Sequence, residues 1–468
     1  MPLFPQNWSC EEFSGVSLGD KRLDKRLVRV ATELSNHPEF SINQACGDWG
    51  STKAAYRFFQ NNSFDENDIM RPHFEKTASR CMNHKFVLVL QDTTIIGYSH
   101  HPKTKGLGRI GGCSRAIHKQ HGLNMHAALA VSPQGLPIGL LSNTLWCTTG
   151  RQYFRGERID HLIPTREKES YKWIHALEQT HKNLKAKIPS ITIADRECDM
   201  HDFFLAALDI DSHFVIRNNL DRNVGDRFTP KKLSEQLEES SVLGYIEIEI
   251  PAKMKDGKGI TPTKKRKAKL EIKSSIVSLS PSRKLSQEVK ETVTLRVVEA
   301  REIDPPNGLE SAHWRLFTSL GVKGFQDAAQ VVRFYAMRWK VEIYFKILKS
   351  GCTIEKCRLA EAQRLKKYIG LFSVIAWRIY WLTFIKRVEP ENCSSKTFSK
   401  QEWSTLYRVL NKTNTIPEKP PPVGETIVLL ARLGGFLARK NDRDPGPTSL
   451  WKGWSRLQDM ITALQFST

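Results

Sequence analysis

Three acidic residues stand where metal-assisted chemistry could be built: Asp92 follows the apolar run FVLVLQ, Asp195 follows SITIA, and Glu342 lies within FYAMRWKVEIYFKILKSG. Carboxylates brought together repel one another unless a cation occupies the space between them. Hard oxygen donors select Mg²⁺ or Mn²⁺ over zinc. A pair of such ions activates water or a 3'-hydroxyl on one side of a phosphodiester and stabilises the leaving oxygen on the other, so no serine or cysteine nucleophile is required. Tyr335, Arg338, Glu342 and Lys349 follow one another at offsets of three, four and seven residues. On one continuous α-helix, at about 100° per residue, they fall within an arc of roughly 60°. That face offers a carboxylate for metal, two cations for phosphate and a phenol that hydrogen-bonds or stacks, although an ion-paired solvated face has the same composition. Phe334, Trp339, Val341, Ile343, Phe345, Ile347 and Leu348 predict that the helix is packed.

Elements must hold these side chains in place. FVLVLQDTT reads as a short core strand ending at Asp92, and IPSITIADRE repeats the pattern at Asp195, which predicts neighbouring strand ends in a mixed sheet. NMHAALAVSPQGLPIGLL reads as two strands joined by a turn at Pro133 to Gly135, and Tyr171 to Leu184 reads as a helix. From about 210 to 325, HFVIRN, YIEIEIPA, IKSSIVSLS, VTLRVVEARE and HWRLFTS predict a separate antiparallel unit. Within it, Lys264, Lys265, Arg266, Lys267 and Lys269 crowd together, as a solvated hairpin tip or as a DNA-backbone contact.

The flanks are helical. To about residue 75, Leu23, Leu27, Val30 and Leu34 recur at helical spacing among Lys21, Arg22, Lys25, Arg26 and Arg29, a pattern that suits either a phosphate-facing or a plainly solvated surface. STKAAYRFFQNN repeats the interleaving with Lys53 and Arg57. Helix returns at about 326. PEKPPPVGE marks a loop before the helical pieces IVLLARLGGFLARK and SLWKGWSRLQDMITALQ. The apolar stretch Ile369 to Ile385 is short for a membrane span and carries Arg378, so it reads as a buried core helix and no membrane partner is expected.

The 468 residues suffice for two or three domains, and 71 basic against 50 acidic side chains leave +21, which favours a polyanionic partner. The nine cysteines are scattered without a close CxxC pair, in keeping with a reducing compartment, and MPLFPQNWSCEEF lacks the organisation of an export signal.

QDTT at 91–94, IADRE at 193–197 and the spaced Tyr335, Arg338, Glu342 and Lys349 resemble the DDE transposases of bacterial cut-and-paste insertion sequences, most closely the transposon-five kind with its YREK signature. The resemblance extends through YRFF at 56–59, REIDPP at 301–306, Trp314 standing 21 residues before Tyr335, ARLGGF at 431–436 and LWKGW at 450–454, and so spans nearly the whole chain. Gln91 departs from it, since the transposon-five kind has an acid there.

The resemblance implies an α/β fold, a ribonuclease-H-like mixed-sheet catalytic core with helical N- and C-terminal regions. It implies a DNA-recognition domain over 1–75, a catalytic domain over 76–365 with a β-rich insertion at about 205–325, and a dimerisation and synapsis region over 366–468. Asp92, Asp195 and Glu342 would bind two Mg²⁺ or Mn²⁺ ions. Arg338 and Lys349 would contact phosphates, Tyr335 would hold the strand near a flipped base, and Trp314 would stack on that base, its plain alternative being a core tryptophan. Arg26 and Arg57 would contact end DNA, and Arg217 would lie near the active site. The implied partners are double-stranded DNA with terminal inverted repeats, target DNA and a second copy of the chain in a synaptic homodimer, on the nucleoid of a bacterial cytoplasm. A hydrolysis-only endonuclease or resolvase, and an inactive DNA-binding regulator, are the alternatives.

Overall fold

The computed structural model of the chain describes residues 8–110, 120–148, 164–225, 230–250, 265–281 and 291–465. Its main elements begin with helices α1 (Lys21–Asn36), α2 (Trp49–Gln60) and α3 (Glu66–Cys81), then strands β1 (Val87–Gly97), β2 (His121–Val131) and β3 (Pro137–Trp146). Next come α4 (Tyr171–Leu184), β4 (Ser190–Ala194), α5 (His201–Asp209) and β5 (His213–Arg217). Strands β6 (Val242–Ile250), β7 (Arg266–Leu279), β8 (Val293–Glu302) and β9 (His313–Thr318) follow. The chain then turns helical through α6 (Phe325–Ala336), α7 (Trp339–Lys346), α8 (Ala362–Val388), α9 (Lys400–Asn411), α10 (Val423–Leu433) and α11 (Pro447–Gln465). Two compact units result, one of residues 84–92 and 151–342, the other of 1–83, 93–150 and 343–468.

In the first unit β1 pairs in parallel with β4, and β4 with β5 through the crossover helix α5. Val87 to Leu90, Ile191, Ile193 and Phe214 to Ile216 are all buried, which is why these strands read as unbroken apolar runs rather than alternating ones. Trp173 of α4, Phe203 and Phe204 of α5, Phe214 and Phe317 fill the core on one side of the sheet.

Two expectations change here. The β-rich segment is not a separate unit: β9 pairs antiparallel with the edge of β5, and β8, β7 and β6 continue outward from it in the same sheet. An open strand edge beside further strands of the same chain is satisfied by pairing with them. Nor does β1 end at Asp92, because the following Thr93, Thr94, Ile95 and Ile96 are all β-branched and carry the strand on to Gly97.

The second unit holds the hairpin of β2 and β3, whose turn closes with the Gly135 amide donating to the Ser132 carbonyl at 2.8 Å. The far end of β1 lies beside β2. Helix α8 packs on the hairpin, the Trp377 indole donating to the Pro137 carbonyl at 3.2 Å. At 27 residues α8 is long and apolar enough to cross a membrane, longer than the stretch read from the sequence, yet its apolar window is wholly buried in protein. Arg378 lies in its middle between the rings of Trp8 (4.9 Å) and Trp454 (4.3 Å), and burial pulls its guanidinium pKa down to about 10.

The glycines of ARLGGF and LWKGW have a packing reason. A Cβ on Gly434 would stand 1.8 Å from the Ser449 carbonyl oxygen, and one on Gly453 would stand 2.0 Å from that of Leu430, so α10 and α11 meet backbone to backbone. Helix α10 stops at Leu433, which leaves the expected GGFLARK continuation outside it. A mixed α/β sheet between helical N- and C-terminal regions is the ribonuclease-H-like arrangement that the sequence implied.

Candidate active site

Strand register places the two aspartates beyond the same end of the β1–β4 pair. Leu90 of β1 stands opposite Ile193 of β4, the last pair of that parallel ladder, and Asp92 and Asp195 each follow two residues later in their own segments. Asp195 has left its strand and caps a short 3₁₀ turn, Arg196–Cys198, its carboxylate accepting from the Glu197 amide at 3.0 Å.

Glu342 joins Asp92 through Arg338. The guanidinium donates from Nη1 to Asp92 Oδ2 at 3.1 Å and from Nη2 to Glu342 Oε1 at 2.5 Å, so one cation bridges the two acids. All three side chains are largely shielded, at 16, 17 and 31% exposure for Arg338, Asp92 and Glu342. Burial works against the charge on Arg338, but Tyr335, Asp92 and Glu342 outweigh it and raise its pKa. The Glu342 carboxyl is raised above its ordinary value, first by burial and also by the charge of Asp195, with Arg338 opposing both.

The helix that carries these groups is not continuous. Between α6 and α7 the Arg338, Lys340 and Val341 amides donate to the carbonyls of Tyr335, Met337 and Arg338, each a tightened three-residue step. After α7 the backbone widens into a π-turn, Ile347–Gly351, that contains Lys349. The uniform α-helix on which the 60° arc rests is therefore not present, since tightening and widening change the angle per residue on either side of Glu342. Lys349 belongs to the second unit, half-buried, its ammonium pKa lowered by burial against the charge of Glu355. Trp339 is 37% exposed, not one of the packed residues of the helix.

Tyr335 is buried with its ring edge-on to Trp314, centroids 5.1 Å apart, so half-buried Trp314 is neither fully a core residue nor a free one. Burial raises the Tyr335 pKa, while Arg338 and a hydrogen bond to Arg217 oppose it. Arg217 also donates to the His313 carbonyl at 3.1 Å. Asp92, Asp195, Arg217, Trp314, Tyr335, Arg338 and Glu342 thus all lie in the first unit, while Arg26 on α1 and exposed Arg57 on α2 lie in the second.

Sequence reading missed the groups that fix these. Asp199, four residues beyond Asp195, has a fully buried carboxylate that accepts from Arg222 at 2.5 Å, the Asn219 amide at 2.8 Å and Asn218 at 3.2 Å. It ties the turn after Asp195 to the chain just after Arg217. Glu299, directly across from Arg315 in the β8–β9 pair, also bonds His313, so both neighbours of Trp314 in the strand are held. A second acid four residues after Asp195 was the available signal, but sequence spacing cannot show that its partner lies beyond the next strand.

The basic run divides. Lys264 falls outside the described residues, whereas Lys265 pairs with Glu249 at 2.6 Å, Arg266 with Glu302 and Lys267 with Glu247 at 3.7 Å, and Lys269 sits over the Tyr245 ring. Acids on adjoining strands answer this charge, which favours the solvated, paired reading over a phosphate contact.

Carboxylate oxygens are the right donors for a hard divalent cation, and the charge of Asp195 adds to burial in raising the Glu342 carboxyl. Among the described residues, no group of three or more His, Cys, Asp or Glu side chains is gathered closely enough to hold an ion, and Arg338 takes the position between Asp92 and Glu342.

Comparison with known families is decisive. The sequence matches the transposase DNA-binding family over residues 5–64, the transposase DDE domain over 174–377 and the transposase Tn5 dimerisation domain over 374–467. The chain belongs to the Tn5-like DDE transposases. In this transposase the DNA-binding match contains Arg26 and Arg57, and the DDE match contains Asp195 and Glu342 but begins after Asp92. The DDE family carries a general dependence on divalent metal, DNA binding belongs to the N-terminal region, and the C-terminal helices belong to a dimerisation family.

Proposed function

We propose that the transposase catalyses cut-and-paste transposition between terminal inverted repeats and a target DNA. Water attacks a phosphodiester at the element's end and releases a 3'-hydroxyl. That hydroxyl attacks the opposite strand, closing a hairpin and releasing the flanking DNA; a second water opens the hairpin, and the freed 3'-hydroxyl attacks the target. Each step forms one P–O bond and breaks another, so a single site serves all of them. The observation that carries this reading is the bridging of Asp92 and Glu342 by Arg338, with Asp195 two residues beyond the last pair of the parallel ladder that leads to Asp92.

Asp92, Asp195 and Glu342 would hold the metal, as two Mg²⁺ or Mn²⁺ ions, which would supply electrophilic activation of the phosphate. Arg338 and Lys349 bind phosphate, Arg217 supports Tyr335, and Trp314 with Tyr335 receives a base displaced from the sharply bent hairpin end. Residues 1–75, with Arg26 and Arg57, recognise the repeat; 76–365 carry the chemistry; 366–468 pair two copies in the synaptic complex, on the bacterial nucleoid.

Purified Glu342→Gln should bind a terminal-repeat duplex as the unaltered protein does and lose cleavage by at least about a thousandfold. Cleavage at the original rate would sink the site assignment. Joined products from pre-cut ends and a target plasmid separate transposition from hydrolysis alone.

A further inference from the structure

Apart from the three acids, the first unit buries a second cluster of charge that the cutting and joining steps do not use. Glu299 of β8 is 9% exposed, and its Oε1 accepts from His313 Nε2 at 2.8 Å and from Arg315 Nε at 3.0 Å. Burial pushes the Glu299 carboxyl up, but the hydrogen bonds from His313 and Arg315 overcome this and hold it below its ordinary value. Arg315 reaches on from Nη1 to Asp221 Oδ1 at 3.4 Å, and Asp221 is fixed in turn by the Ser234 amide at 2.9 Å and the Ser234 hydroxyl at 2.7 Å. The Arg315 carbonyl also accepts from the Asn218 amide at 2.8 Å.

Successive side chains of a strand point to opposite faces, so His313 and Arg315 lie on the other side of the sheet from Trp314. Pinning both fixes the direction in which the Trp314 side chain leaves the backbone. On its own face the indole meets the edge of Tyr335 at 5.1 Å, and the residue opposite it in the β8 ladder is Ala300, whose methyl is too small to cover the ring. Backbone hydrogen bonds already join β8 to β9, and a buried ion cluster is a costly addition to them that well-packed apolar side chains could replace without loss of stability. What the cluster adds is a fixed position for β9 and for the chain that follows Arg217.

Resting on the proposed handling of a displaced base, we infer that Arg315 and Glu299 are positioning residues for the hairpin step: from the far side of the sheet they hold the Trp314 indole as a preformed shelf for the base that leaves the stack. A shelf formed in advance needs no reordering when the base arrives. The first nick requires no displaced base, so it does not depend on the shelf.

The test uses the full-length chain, Mg²⁺ and an end duplex that the chain cuts, with the first nick and hairpin closure timed separately on denaturing gels. Arg315→Gln should nick within about twofold of the original rate and close the hairpin about tenfold to a hundredfold more slowly. Arg315→Lys keeps the charge but serves only one of the two acids at a time, and should recover part of the loss. Glu299→Gln, which keeps an oxygen for both donors, should slow the same step by less, and it carries the test if Arg315→Gln does not fold, as thermal unfolding of each variant will report. 2-Aminopurine, which dims on stacking, is placed in turn at each terminal position of the duplex; at the displaced one it should be brighter in the hairpin complex of Arg315→Gln than in that of the original protein. If the unaltered chain makes no hairpin, the transposition reading falls and this inference with it. If it makes one, and the variants close it at the original rate or slow the nick as much as the closure, the inference alone is overturned.

Discussion

Arg338 meets an aspartate 246 residues away and a glutamate one helical turn away with the same guanidinium. Two half-shielded carboxylates side by side cost more than either alone, and a planar fork answers both at once. Replacing it removes the counter-charge that the two acids share. Arg338→Gln should therefore destabilise the protein by about 1–3 kcal/mol in chelator, and added Mg²⁺ should recover more stability in the variant than in the original protein. Melting curves with EDTA and with Mg²⁺ decide this; superimposable curves for the two proteins in both buffers would remove Arg338 from the electrostatics of the site. Tyr335 is a residue of the same kind, its ring fixed by Trp314 and its hydroxyl by Arg217.

Elements then decide how firmly the acids are aimed. Asp195 sits in a turn, not in a strand, and a turn needs a second anchor to hold a carboxylate in place. Asp199 supplies it by fastening that turn to Arg222, whose guanidinium also lies over the Phe317 ring at 5.5 Å. Asp199 and Arg222 are positioning residues. Asp199→Asn and Arg222→Gln should each slow DNA cleavage by about tenfold or more while leaving duplex affinity unchanged, and the double variant should be no slower than the worse single one, because both remove the same tie. Additive losses, or a parallel loss of DNA binding, would show that the two residues act separately. The close meeting of α10 and α11 at Gly434 and Gly453 is the same principle in the dimerisation region, where only hydrogen fits between two backbones.

At the scale of the whole molecule, stability responds to acid through a buried network in the second unit. Glu12 is 1% exposed and accepts from Arg80 at 2.8 and 3.0 Å; His73, wholly buried, donates to it from Nδ1 and takes the Leu140 amide on Nε2 at 3.0 Å. Burial pushes the Glu12 carboxyl up, but Arg80 and His73 together overcome this and hold it at about 2, below the ordinary 4.5. A depressed acid stabilises the fold above its unfolded pKa, and that contribution is lost as pH falls through the folded one. The window is thus from 4.5 down to about 2, and the contribution is on the order of 3 kcal/mol. Glu12→Gln should be less stable than the original protein by about that amount at neutral pH, with the gap closing across the window. Urea unfolding measured at a series of pH values tests this; a gap that stays constant with pH would place the cost in packing and not in ionisation.

Much of the site could be read before any folding. Asp92 and Asp195 after apolar strands and Glu342 within an apolar helix are individually unremarkable, and it is the spacing of Tyr335, Arg338 and Lys349 around Glu342, carried by the chain itself, that marks them as candidates. Pattern also marked α4, and the Pro133 to Gly135 turn marked the β2–β3 hairpin, since residues buried on one face must recur at the period of their element. Tertiary structure alone decided the rest. That β1 runs past Asp92, that β9 extends the sheet from β5, and that the glutamate's helix tightens at Arg338 and widens at Lys349 all depend on partners distant in the chain. The bridge from Arg338 to Asp92 and the tie from Asp199 to Arg222 are invisible in sequence for the same reason: a hydrogen bond is short in space, and spacing along a chain reports distance only within one regular element.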